Sequence, residues 1–218
     1  LLSAMMWGIS GLFAKALFNF SPSITPLWIS QVRMTTSGII FLLVALLFKQ
    51  HPFAIWHSRR DVLAIIAYGL LGLLPAQYCY FVTVQLGNAS IATILQFLGP
   101  FFVIAYMALF HHQRPRRVEL IAAVIAFLGV IILATHGRFT QLAISAGVLF
   151  WGLLSAVGVA TDNIIPHDLV RRFPTLVVTG WGMLISGLFL IAIHPQQPAI
   201  PHSPFVFWGV VAVIVIGT

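Results

Sequence analysis

The chain breaks into apolar blocks of about 18–24 residues, and at 1.5 Å of rise per residue each can cross a hydrocarbon core of about 30 Å. The blocks lie near residues 1–18, 26–48, 62–85, 91–110, 118–135, 142–161 and 175–194, and an eighth starts at Pro204. Lipid offers no partner to a bare peptide group, so such blocks must be helices that satisfy their own backbone. Composition agrees. Hydrophobic residues make up 60% and charged residues 7%, leaving too little polar surface to cover a water-soluble globule of this length. The expected fold is an all-α polytopic membrane protein.

The basic residues set the orientation. Even-numbered connections hold Lys49, Arg59 and Arg60, then Arg114, Arg116 and Arg117, then Arg171 and Arg172, whereas the odd ones hold only Arg138. Cytoplasmic loops carry the excess of Lys and Arg, so the even connections and the N-terminus are expected in the cytoplasm. The formal charge of +7 therefore reads as topology signals beside anionic headgroups. With no basic stripe interleaved with exposed aromatics, nucleic acid is excluded as a partner. The single Cys79 cannot form an internal disulfide.

The chain carries an imperfect internal repeat. Ser3-Ala4…Trp7-Gly8 with Ser10 corresponds to Ser145-Ala146…Trp151-Gly152 with Ser155, and Met34…Ser37-Gly38 corresponds to Met183…Ser186-Gly187. The offsets are 144 residues (Trp7 to Trp151) and 149 residues (Met34 to Met183). A five-span unit is odd, so its second copy enters from the opposite side, and inverted halves place a binding site near the bilayer midplane. Residues 1–141 form the first unit and residues 142–218 the start of a second, incomplete one. Two full copies need ten spans, and the chain begins and stops inside apolar runs, so it reads as a fragment of a longer protein.

These motifs resemble the EamA-type transporters of the drug/metabolite transporter superfamily. The matching residues are Trp7-Gly8 with Lys15, Arg33, Ala89-Ser90-Ile91-Ala92 through Leu98-Gly99-Pro100, and Gly129-Val130-Ile131-Ile132-Leu133. In the second half they are Pro166, Leu169, Arg171-Arg172 and Gly180-Trp181-Gly182-Met183. The resemblance implies ten spans in two five-helix repeats and a bacterial inner-membrane permease. It further implies export of amino acids or related carboxylates by alternating access. One departure is the loop after the fourth span, where the family often has a Glu and this chain reads His112-Gln113-Arg114.

Charges inside a bilayer are costly and mark functional sites. Two qualify, Lys15 and Arg33. Lys15 lies about three residues from the outer end of its span, whereas Arg33 is about 10 Å deep by helical rise. Gly8, Gly11 and Lys15 share one face, and so do Ser30, Arg33 and Ser37, which turns both cations toward other helices. Two readings stand for each: contact with a solute, or pairing with carbonyls and snorkelling to headgroups. Asp61, Glu119, Asp162 and Asp168 fall at span ends or in loops, so an acid-free, electropositive interior is expected, suited to an anionic solute rather than to a carboxylate proton relay.

Neutral polar stripes add Gln77 with Tyr80 and Thr93 with Gln96 and Pro100. Each either lines a cavity or bonds between helices. Pro100 should kink its helix and free the Gln96 carbonyl. Trp7 and Trp151, at equivalent repeat positions, either wall the same pocket or pack. All eight histidines lie in loops or at span edges, and no metal or cofactor site is expected. The expected partners are a small-molecule solute and the lipid bilayer, with a homodimer left open. An enzyme reading has one foothold, Gly8-Ile9-Ser10-Gly11, which matches the GxSG pattern of intramembrane serine proteases. It lacks a base at membrane depth. A non-transporting structural membrane protein is the other rival.

Overall fold

The computed structural model describes residues 2–110, 112, 116–135, 144–196, 198–201 and 203–217. Among them every regular element is helical: α1 (Leu2–Phe20), α2 (Pro26–Leu47), α3 (Arg59–Leu86), α4 (Ala89–Phe110), α5 (Arg117–Thr135), α6 (Ala146–Ile164), α7 (Thr175–Ile193) and α8 (Pro204–Gly217). A 3-10 turn, Pro52–His57, precedes α3, and one further helical turn, His167–Val170, follows α6. Where the sequence supplies a cap, the helix starts at it. Thr25, Asn88 and Ser145 accept from the backbone N–H three residues on, and Pro26 takes the first position of α2, where a missing N–H is harmless. The expected spans recur as helices with ends shifted by up to four residues. Arg138 lies outside the described residues.

The solvation pattern is that of a protein dissolved in lipid. Leu47 and Val118 expose 81% and 75% of their surface, while Ser30, Gln31, Arg33, Ser155 and Ser186 are buried. Water would reverse that arrangement. Five of the helices, α2, α3, α4, α7 and α6 with its appended turn, are long and apolar enough to span a bilayer core over their described residues. The chain is a multi-pass helical membrane protein.

The most extensive packing joins α2 to α7, α3 to α6 and α1 to α8. Small residues let the backbones close. A Cβ on Gly38 would stand 2.6 Å from the Leu184 nitrogen, and one on Gly158 would stand 2.8 Å from the Ala76 Cα. A crevice of about 450 Å³ between α4 and α5 is walled by apolar side chains such as Phe101, Phe102 and Phe127.

Two spans are irregular. In α3 the segment Tyr68–Leu73 is a π-turn, with the Leu74 N–H donating to the Gly69 carbonyl. Pro75 has no N–H to return to Leu71. Neighbouring hydroxyls make up the difference: Thr161 Oγ1 donates to the Leu71 carbonyl at 2.6 Å and Ser186 Oγ to the Gly69 carbonyl at 2.7 Å. In α4 the helix breaks at Phe97-Leu98, between Ala89–Gln96 and Gly99–Phe110, where Pro100 was expected to bend it.

One face of the bundle gathers the α2–α3 and α6–α7 connections. Arg172 Nη2 lies 2.6 Å from Asp61 Oδ1, and Trp181 Nε1 donates to the Pro52 carbonyl at 2.8 Å. The rings of Trp56 and Phe53 meet Trp181 edge-on. At the opposite face Lys15 Nζ donates to the Gln85 carbonyl at 2.9 Å, and Gln31 Nε2 donates to the Leu190 and His194 carbonyls, each at 2.9 Å.

Candidate functional site

Arg33 is the deepest cation among the described residues, 1% exposed on α2. Its guanidinium carbon lies 5.5 Å from the centroid of the Phe81 ring on α3. From α8, a Cβ on Gly217 would stand 3.0 Å from the guanidinium carbon and Nη2, so the glycine lets α8 approach the charge closely. The same Cβ would collide with Ser10 Oγ of α1. Four helices thus converge on one guanidinium.

Tyr80 extends the group. It is buried, interacts electrostatically with Arg33, and sets its hydroxyl 3.2 Å from Thr93 Oγ1 of α4. That hydroxyl occupies the space left by Gly11 on α1. One turn back on the same face of α3, Gln77 is also buried, and its Oε1 has no hydrogen-bond partner among the described residues. Arg33, Tyr80, Gln77 and Ser10 therefore present a cation, two hydroxyls and an unused amide oxygen inside a helix bundle. Groups of that kind can hold a small anionic or zwitterionic molecule by charge-assisted hydrogen bonds.

A family model described as the EamA-like transporter family matches residues 1–135. The chain belongs to this family. Among curated relatives, it is 32% identical over 197 residues to an uncharacterized inner membrane transporter, YicL, of Salmonella typhimurium, covering 90% of this chain and 65% of YicL. It is 26% identical over 214 residues to the pseudopaline exporter CntI of Pseudomonas aeruginosa, covering 94% of this chain and 73% of CntI. The chain thus spans about two thirds of the length of YicL. A solved crystal structure with 18% identity superposes at a TM-score of 0.61, covering 99% of this chain and 75% of that one, and at that identity the likeness concerns the fold alone. An enzyme reading does not survive membership of the EamA-like transporter family. Ser10 Oγ donates to the Val213 carbonyl at 3.3 Å.

The remaining candidates fall elsewhere. Lys15 is committed to the Gln85 carbonyl at the opposite face from Asp61 and Arg172. Gln96 donates to the Ala76 carbonyl and to Ser155 Oγ, both at 2.8 Å, and Ser155 donates to the same carbonyl, a junction of α3, α4 and α6. The Trp151 ring meets Tyr78 edge-on at 6.1 Å. Tyr78 is two residues, about 200° of helical turn, from Tyr80, so Trp151 meets a different face of α3 from the one that carries Tyr80. The Trp7 side chain lies outside the described residues.

Sequence reasoning passed over Gln31, although Ser30-Gln31 is a conspicuous polar pair in an apolar span, and weighed Ser10 only as the serine of a GxSG pattern and a repeat position. It also placed Asp162 at a span end. The helix runs on to Ile164, and Asp162 turns inward to hydrogen-bond the Tyr68 hydroxyl, so the expectation of an acid-free interior is corrected.

Proposed function

We propose that the chain is the larger part of an inner-membrane permease that moves a small organic metabolite by alternating access. Amino acids or related carboxylates are the solute class and export is the direction. The observation that carries this reading is the buried Arg33, a charge that a purely structural bundle has no reason to keep at membrane depth. The names of YicL, an inner membrane transporter, and CntI, an exporter, support the location and the direction.

Residues 1–141 are the first of two inverted five-helix units and residues 142–218 begin the second. Helix pairing supports this, since an inverted two-fold maps the α2–α7 contact onto itself and the α3–α6 contact onto α8–α1. The face bearing Asp61 and Arg172 is cytoplasmic, as the excess of Lys and Arg requires. Metabolite profiling of cells lacking or overproducing the full-length protein tests the function. An exporter raises the internal level of its solute on deletion and the external level on overproduction. Unchanged pools in both strains would end the proposal.

A further inference from the structure

Asp162 is an acid that α6 carries into the bilayer. A Cβ on Gly72 would stand 3.1 Å from the Asp162 Cα. Counting from Arg59, Gly72 is fourteenth of the 28 residues of the α3 span, which sets Asp162 level with its middle. The carboxyl is hydrogen-bonded to the Tyr68 hydroxyl, and that hydroxyl is also bonded to Thr179 of α7. Asp162 Oδ1 is buried and has no hydrogen-bond partner among the described residues. Nor does any described Lys, Arg or His lie within ion-pair distance of it.

A carboxylate with one oxygen unserved in a low-dielectric bundle is costly, and nothing beside it offers a compensating cation. A proton on Oδ1 removes the charge and leaves the Tyr68 bond in place. The surroundings can move. Tyr68 sits at the start of the π-turn of α3, and π-turns concentrate at functional sites. The carbonyls of that turn are held by Thr161 beside Asp162 and by Ser186 on α7, so parting of α3, α6 and α7 exposes Oδ1 and loosens the turn together. Tyr68 is the titratable group that faces Asp162 from α3, while α7 presents the neutral Thr179 and α4 meets α6 through Gly99 on Val159 and Gln96 on Ser155.

We propose that Asp162 is a proton-binding site that couples proton movement to the opening of the α3–α6–α7 junction. Loading forms one O–H bond on Oδ1 with a proton taken from water on one side, and unloading returns that proton to water on the other. Its use in transport rests on the permease reading, but the binding of the proton does not.

The test is infrared difference spectroscopy of the full-length protein in liposomes, following the C=O stretch of protonated carboxylic acid as pH is varied, with the proton as the only ligand. The wild type should gain a carboxylic-acid band as pH falls. That band should be absent from Asp162→Asn, and in Tyr68→Phe its frequency should shift because the phenol bond is gone. Should Asp162→Asn not fold, Asp162→Glu keeps the acid and must move the band. A spectrum unaffected by substitution at Asp162, or an Asp162 band that ignores pH, overturns the proposal. A titrating Asp162 band in a protein that carries no solute leaves the proton site standing and removes only the permease reading.

Discussion

Gly38 of α2 lies against the backbone of Leu184 on α7, close enough that a Cβ would stand 2.6 Å from the Leu184 nitrogen. The converse contact is present as well, since a Cβ on Gly187 would stand 2.7 Å from the Thr35 nitrogen. One offset of 149 residues carries Gly38 to Gly187 and Thr35 to Leu184. Each helix thus offers the other the same glycine and the same neighbour, as an isologous contact demands. Sequence similarity alone does not impose that reciprocity; packing about the proposed pseudo-two-fold would.

The reciprocal contact predicts matched effects. Gly38→Val and Gly187→Val should each destabilise the full-length protein by about 1–3 kcal/mol, the usual cost of overpacking. The two should lower the thermal midpoint in detergent similarly. Gly8→Ala is the control, because a Cβ there meets nothing within 4 Å. A harmless Gly187→Val beside a damaging Gly38→Val would break the symmetry argument.

At the face carrying the basic connections, the Asp61 side chain is 5% exposed and depends on Arg172. Arg172→Ala should cost about 1–3 kcal/mol by leaving a buried acceptor unpaired, with the lower end expected because the arginine is half in solvent. Exchanging the pair, Asp61→Arg with Arg172→Asp, should recover part of the loss in a melting experiment. No recovery would mean that the pair contributes packing rather than charge.

Gln96 makes two interhelical bonds of a kind worth about 0.6 kcal/mol on average. Gln96→Leu should therefore lower the midpoint slightly and leave solute transport near wild type. A selective loss of transport with unchanged stability would return Gln96 to the site.

Orientation is open to cysteine labelling of intact cells, since Ser58 and Asn19 are both exposed. With the basic face inside, a cysteine replacing Ser58 should be protected from an impermeant maleimide and one replacing Asn19 should react. The reverse pattern would invert the topology.

The spans were legible because twenty apolar residues have one stable form in lipid. The proposed repeat was read from the Met34-to-Met183 spacing, and both methionines are buried where α2 and α7 pack. The π-turn at Tyr68–Leu73 was not, since it depends on hydroxyls supplied by Thr161 and Ser186, some 90 and 117 positions away. Asp162 was misplaced for a local reason. An error of three residues in a helix end moves a polar residue between loop and bilayer, and only the Tyr68 contact decides. Of the candidate site, Arg33, Tyr80 and Gln77 were named from their stripes, and all three are buried. Gln96 and Lys15 were found by the same rule but serve carbonyls, a distinction that polarity cannot make.

Solute counterflow with the full-length protein in liposomes, across a panel of amino acids and carboxylates, tests the account at its centre. Wild type should exchange at least one member of the panel, and Arg33→Gln should abolish that exchange at normal membrane abundance. Arg33→Lys should restore only part of it, because an ammonium lacks the two-pronged geometry of guanidinium. Full exchange by Arg33→Gln would contradict the account and leave Arg33 as a packing residue on Phe81.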